Sequence, residues 1–152
     1  MAPYNDLEAT RGIVESHADD LAAIIVEPIQ RIISPAEGFL EGLRELCDEH
    51  GVVLIFDEVV TGFRLGIGGA QEFYGVTPDL VALGKALSGG MSIAALAGKK
   101  AIMEYLDPNS GKGQFAFHCG TLNGNILSVE AAHTCLDILI EEEGLEHLCK
   151  IL

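Results

Sequence analysis

Two apolar runs, each ending on an ionisable side chain, constrain this chain more than any other feature. The first, VVLIFDE, sets Val52, Val53, Leu54, Ile55 and Phe56 ahead of Asp57 and Glu58. The second, PDLVALGK, ends on Lys85. Short unbroken apolar runs rich in β-branched residues suit a central strand covered on both faces. A carboxylate or an ammonium just past such a strand is costly to bury unless something compensates it. In open α/β sheets the carboxyl edge of the strands is also where ligands bind. The two runs therefore predict a ligand site containing Asp57 and Lys85.

The segments around them complete a repeating pattern. LAAIIVE (21–27) reads as a buried strand that Pro28 stops. Phe39, Leu40, Leu43, Leu46 and Cys47 then recur at helical spacing, with Glu41, Arg44, Glu45, Asp48 and Glu49 on the other face. Gly51 suits the left-handed residue that closes such a helix. Strand, helix, strand is the parallel βαβ unit with a right-handed crossover. Elsewhere the sequence predicts a weakly patterned helix over 7–16, an irregular connection over 29–37 and a short helix over 70–74. It predicts strands at 79–84 and 114–117, an apolar stretch at 93–98 and a helix at 99–106. A strong helix starts at Ile126 and places Val129, Ala132, Cys135, Leu136, Leu139 and Ile140 on its apolar side; a further helix is expected over 145–152.

Composition excludes several function classes. The chain has 152 residues, enough for one domain with a sizeable core, and 49% of them are hydrophobic. Nine basic residues against 23 acidic ones give a net charge of −14, poor material for neutralising nucleic-acid phosphates or an anionic membrane surface. No apolar run is long enough to span a bilayer, and the N-terminal MAPYNDLEATRG lacks the apolar core of a secretion signal. Cys47, Cys119, Cys135 and Cys149 form no CxxC pair, so reduced thiols and a cytoplasmic location are expected.

Three separated motifs now carry a resemblance. LIFDEVVTGFR, PDLVALGKALSGG and HCGTLNGN, flanked by IIVEPIQ and GFLEGLRELCDEHG, resemble the class-III (ω-type) aminotransferases in order and spacing. GFRLGIGGAQ and GGMS look most like the branch of glutamate-1-semialdehyde aminomutase and β-amino-acid transaminases. The resemblance implies the α/β fold of the type I transferases that depend on pyridoxal 5′-phosphate: a mostly parallel sheet with helices on both faces. It implies that Lys85 is the Schiff-base lysine and catalytic proton carrier. Asp57 would face the cofactor's pyridine nitrogen, Val59 would pack behind the ring, and Thr121 would reach the cofactor phosphate of a neighbouring subunit in a homodimer. The implied reaction moves an amino group from a small-molecule amine or amino acid to an oxo or aldehyde acceptor.

The chain also departs from the family. RIISPAE replaces a longer glycine-containing loop, Val60 stands where many members carry Gln, and Ser92 and Ile126 replace prolines. The family's phosphate-cradling glycine loop, its ring-stacking aromatic and its C-terminal small domain have no counterpart here. Residues 1–152 are thus expected to be a partial cofactor-binding domain. The rival expectation is a truncated, non-catalytic interaction or regulatory module that exposes apolar surface.

Other residues carry weaker signals. Glu58 is expected to be structural, paired with Arg64 or a neighbour, and Glu27 is a possible supporting acid at the same sheet edge. His118, Cys119, His133 and Cys135 fit no zinc spacing, so no metal is expected. GIGGAQ is not GxGxxG, and GKAL lacks the hydroxyl residue of a P-loop.

Overall fold

The structure, a computed structural model, describes residues 1–141, 144 and 146. The helix expected over 145–152 and Cys149 lie outside the described residues, apart from residue 146. Among the described residues the α-helices and strands follow in the order α1 (Leu7–Ser16), β1 (Ala23–Val26), α2 (Phe39–His50), β2 (Val53–Asp57), α3 (Gly69–Tyr74), β3 (Leu80–Leu83), β4 (Ala95–Gly98), α4 (Lys100–Met103) and α5 (Ile126–Glu141). The four strands form one sheet in the order β1-β2-β3-β4. The first three run parallel, and β4 returns antiparallel to β3.

The core is where α2 meets the sheet. Phe39, Leu40, Leu43 and Cys47 from α2 bury against Leu54, Phe56 and Val81. This is the apolar stripe the sequence marked, and each such side chain contributes about 1.5–3 kcal/mol when fully buried. Gly51 ends α2 at φ +67°, where its amide and that of Val52 both reach the Cys47 carbonyl. Outside α2, α1 docks through Leu7, which lies against Gly42, while the Tyr4 ring meets Phe39 edge-on at 5.2 Å. Asp6 caps α1 by accepting from the Ala9 amide at 2.9 Å.

Several expectations shift. Burial alternates along β2, because only one face of the sheet lies under α2: Leu54 and Phe56 are fully buried, whereas Ile55 and Asp57 are half-buried and Ile25 of β1 is 65% exposed. Residues 114–117 form no strand; the Ala116 amide reaches the Tyr105 carbonyl at 2.7 Å, a single bond rather than a ladder. The helix expected over 99–106 divides into α4 and a 3-10 turn over Glu104–Leu106. On α5 only Ser128 and Ala132 are buried, and Ile126, Leu127, Ile138 and Ile140 are exposed. That helix rests on the 3-10 turn Lys85–Ser88, where the Cys135 thiol meets the Ala86 carbonyl at 3.5 Å.

Candidate active site

Strand register brings the two charged strand ends together. Asp57 pairs with Ala82 across β2 and β3, and the Glu58 amide donates to the Ala82 carbonyl at 2.9 Å. Lys85 follows three residues beyond Ala82, at the same carboxyl edge. Gly84 is extended at φ −174°, and Lys85 then turns to φ +45°, opening the 3-10 turn. A non-glycine residue in that region is uncommon and strained, and such residues concentrate at functional sites. The Leu87 amide closes the turn on the Gly84 carbonyl at 3.0 Å, and the Ser88 hydroxyl donates to the Met91 carbonyl at 2.5 Å. Val59 lies beside this turn: a Cβ added to Gly84 would stand 3.5 Å from Val59 Cγ1. Asp57, Val59 and the start of the lysine turn thus meet at one sheet edge.

Asp57 has two oxygens with different fates. Oδ1 accepts the Val59 amide at 3.1 Å, the local turn that an aspartate after a strand often makes. Oδ2 takes no hydrogen bond among the described residues. Capping the turn therefore engages half of the carboxylate and leaves an acceptor on the half-buried face. Lys85 is exposed and makes no ion pair among the described residues, so its amine is not committed to a structural bridge.

Glu58 points the other way, as consecutive strand residues must. It is fully buried, and its partner is not Arg64, which is exposed. Oε2 accepts the Ala70 amide at 2.5 Å and the Thr61 hydroxyl at 3.1 Å, while Oε1 accepts the Gln71 amide at 3.2 Å and its Nε2 at 3.4 Å. The carboxylate sits where the first amides of α3 lack helical partners and a negative charge is favoured. Gly69, at φ +67°, lies so close that an added Cβ would come within 2.3 Å of Oε2. The glycine pair before AQEFY was the available sequence signal for this contact.

The other residues stand apart. Thr121 is exposed in the turn before α5 and makes no hydrogen bond among the described residues; Glu27 is half-buried after β1 and bonds to neither Asp57 nor Lys85. His118 and Cys119 are exposed, and no cluster of three or more His, Cys, Asp or Glu among the described residues could hold a metal ion. A surface cleft of about 470 Å³ lies between Phe63, Ile67, Gln71, Val81 and Ala97, and neither Asp57 nor Lys85 lines it.

Sequence reading missed a second charged centre at the opposite edge of the sheet. Asp79 Oδ2 accepts the Leu54 amide at 2.7 Å and Arg44 Nη1 at 2.9 Å, and Oδ1 meets Lys99 Nζ at 2.6 Å. Arg44 also reaches Asp48 at 2.6 Å. Burial alone would push the Asp79 carboxyl up, but the bonds from Lys99, the Leu54 amide and Arg44 hold it below the ordinary carboxylate value. One aspartate thereby ties α2, β2, β3 and the end of β4.

A family model described as Aminotransferase class-III matches residues 2–151. The chain belongs to the class-III aminotransferase family. Among similar proteins, the glutamate-1-semialdehyde 2,1-aminomutase of Nitratidesulfovibrio vulgaris is 48% identical over 151 residues, covering 96% of this chain and 35% of that protein. The enzyme of the same name from Salinibacter ruber is 49% identical over 146 residues, 94% of this chain and 32% of that one. An omega-transaminase from Sphaerobacter thermophilus superposes with a TM-score of 0.83 at 40% identity, over 93% of this chain and 32% of that one. A structure described as a transaminase with PLP bound gives a TM-score of 0.84 at 36% identity, over 93% and 34%. This class-III chain therefore spans about a third of the length of its relatives, which is 35% for the first of them. Its architecture is that of the PLP-dependent transaminases: α/β, with a mostly parallel sheet and helices.

Proposed function

We propose that this chain is part of the cofactor-binding domain of a class-III aminotransferase or aminomutase, with Lys85 as the residue that bonds pyridoxal 5′-phosphate. The observation that supports the reading is the register that sets Asp57 across from Ala82, three residues before Lys85, with Val59 beside Gly84 at the same carboxyl edge. When bound, the cofactor supplies an aldehyde that condenses with amines and a pyridine ring that withdraws electrons from the substrate carbon. Lys85 offers an amine outside any ion pair among the described residues; it would hold the cofactor's aldehyde carbon and, when free, could carry a proton to and from the substrate. Asp57, one of whose oxygens the Val59 amide leaves free, would face the ring nitrogen and favour its protonated form. Val59 covers the ring with an apolar surface and excludes water there. Thr121, exposed before α5, is proposed to contact the cofactor phosphate of a second subunit. The substrates are a small-molecule amino donor and an oxo or aldehyde acceptor, and the compartment is the cytoplasm.

The alternative of a non-catalytic interaction module has the exposed apolar residues of α5 behind it. It gives no reason for a lysine at φ +45° at the same sheet edge as an aspartate with a spare acceptor. The test is to incubate the chain with pyridoxal 5′-phosphate, reduce with borohydride and map the modified peptide by mass spectrometry. The cofactor mass is expected on Lys85. If Lys85→Ala traps as much cofactor as the parent, the assignment is wrong.

A further inference from the structure

Asp57 and Glu58 are adjacent and face opposite sides of β2, so what holds one fixes the backbone of the other. We propose that Glu58 is the positioning residue for the Asp57 carboxylate, holding it through the turn over 58–62. The proposal rests on the reading of Asp57 as the acid that faces the cofactor ring. Glu58 cannot touch a ligand on the Asp57 side, because its carboxylate is fully buried toward α3.

The coupling runs through named bonds. Three donors from the start of α3, the Ala70 amide and both Gln71 nitrogens, clamp the Glu58 carboxylate, and the Thr61 hydroxyl ties it back to its own turn. The Glu58 carbonyl accepts the Gly62 amide at 2.8 Å, closing that turn. The turn has no slack: a Cβ on Gly62 would stand 2.8 Å from both the Glu58 carbonyl oxygen and Leu83 Cδ2 of β3. Val59 lies inside the turn, and its amide donates to Asp57 Oδ1 at 3.1 Å, orienting that carboxylate. Release of the Glu58 clamp lets the turn rotate, the Val59 amide moves off Oδ1, and Asp57 loses its fixed direction. A cofactor-site acid must be held to within about 0.5 Å, so this rotation matters to the site before it matters to the fold.

The decisive experiment is amide hydrogen–deuterium exchange of the ¹⁵N-labelled chain, without cofactor, at one fixed pH near neutrality. In the parent, the Val59 amide is bonded to Asp57 Oδ1, and the Leu54 amide to Asp79 at the far edge. Glu58→Gln is expected to speed exchange at Val59 by about tenfold or more while exchange at Leu54 keeps its rate. Thr61→Val, which removes one bond to Glu58 and preserves side-chain volume, is expected to speed exchange at Val59 by a smaller factor and carries the test if Glu58→Gln does not fold. Parental exchange at Val59 in either folded variant overturns the proposal, as does an equal rise in both rates, which would mark a purely structural role. Because no cofactor is present, the result is independent of borohydride trapping at Lys85, and either reading can fail without the other.

Discussion

Replacing Asp79 by alanine removes a side chain that bonds α2, β2 and the end of β4 together. The Leu54 amide lies inside the core, and leaving it without an acceptor costs about 1–3 kcal/mol. Breaking a buried ion pair costs about 3–5 kcal/mol when the surviving charge is stranded. Here Arg44 is 18% exposed and keeps Asp48, so only part of that penalty applies. Lys99 is 57% exposed and returns to water, so its share is at most about 1 kcal/mol. The expected loss is therefore about 3 kcal/mol, which lowers the urea midpoint by about 1–2 M. Lys99→Ala should cost under about 1 kcal/mol, with Arg44→Met between the two. The pH dependence follows from the depressed carboxyl. Its stabilisation is complete above the ordinary value of 3.8 and is lost as pH falls through the folded-state value. The gap between parent and Asp79→Ala should accordingly narrow below about pH 4. Equal urea midpoints for Asp79→Ala and Lys99→Ala would refute the argument, because they would mean that the Leu54 amide and Arg44 do not depend on this carboxylate.

Two further outcomes follow from the geometry. Lys85 holds φ +45°, a conformation that costs a non-glycine residue about 1 kcal/mol, so Lys85→Gly should be more stable in urea than Lys85→Ala by about that amount; the reverse order would remove the strain from the account. Burial pushes the Cys47 thiol up to about 11, whereas Cys119 is exposed. Iodoacetamide at about pH 8 should therefore label Cys119 and spare Cys47 until urea unfolds the chain, and equal labelling rates in the folded chain would contradict that burial.

The site was legible where its signal was local. An apolar run ending in Asp57 and another ending in Lys85 each announced a strand with a charge at its edge, and the register of β2 on β3 put those edges side by side. Thr121 was also named from its motif, yet among the described residues it is exposed and makes no hydrogen bond to that edge. Glu58 was expected to be structural, paired with Arg64 or a neighbour; it is structural and bonds the nearby Thr61 rather than Arg64, and its helix donors went unread because hydrophobic periodicity tells which face a side chain takes but not which donors wait there. Those donors were the first amides of a helix too short to give a strong pattern of its own.

What the sequence determined by itself is the alternation of strands and helices, the stripe of α2 that seals the core, and the charged residues at the strand ends. Each of these follows from side-chain spacing within a few turns or a single strand. Tertiary structure alone decided the left-handed turn at Lys85, the half-covered face bearing Asp57, and the roles of Glu58 and Asp79. These depend on groups brought from 12 to 35 residues away, and a polar side chain's function is set by whichever partner the packed chain delivers to it.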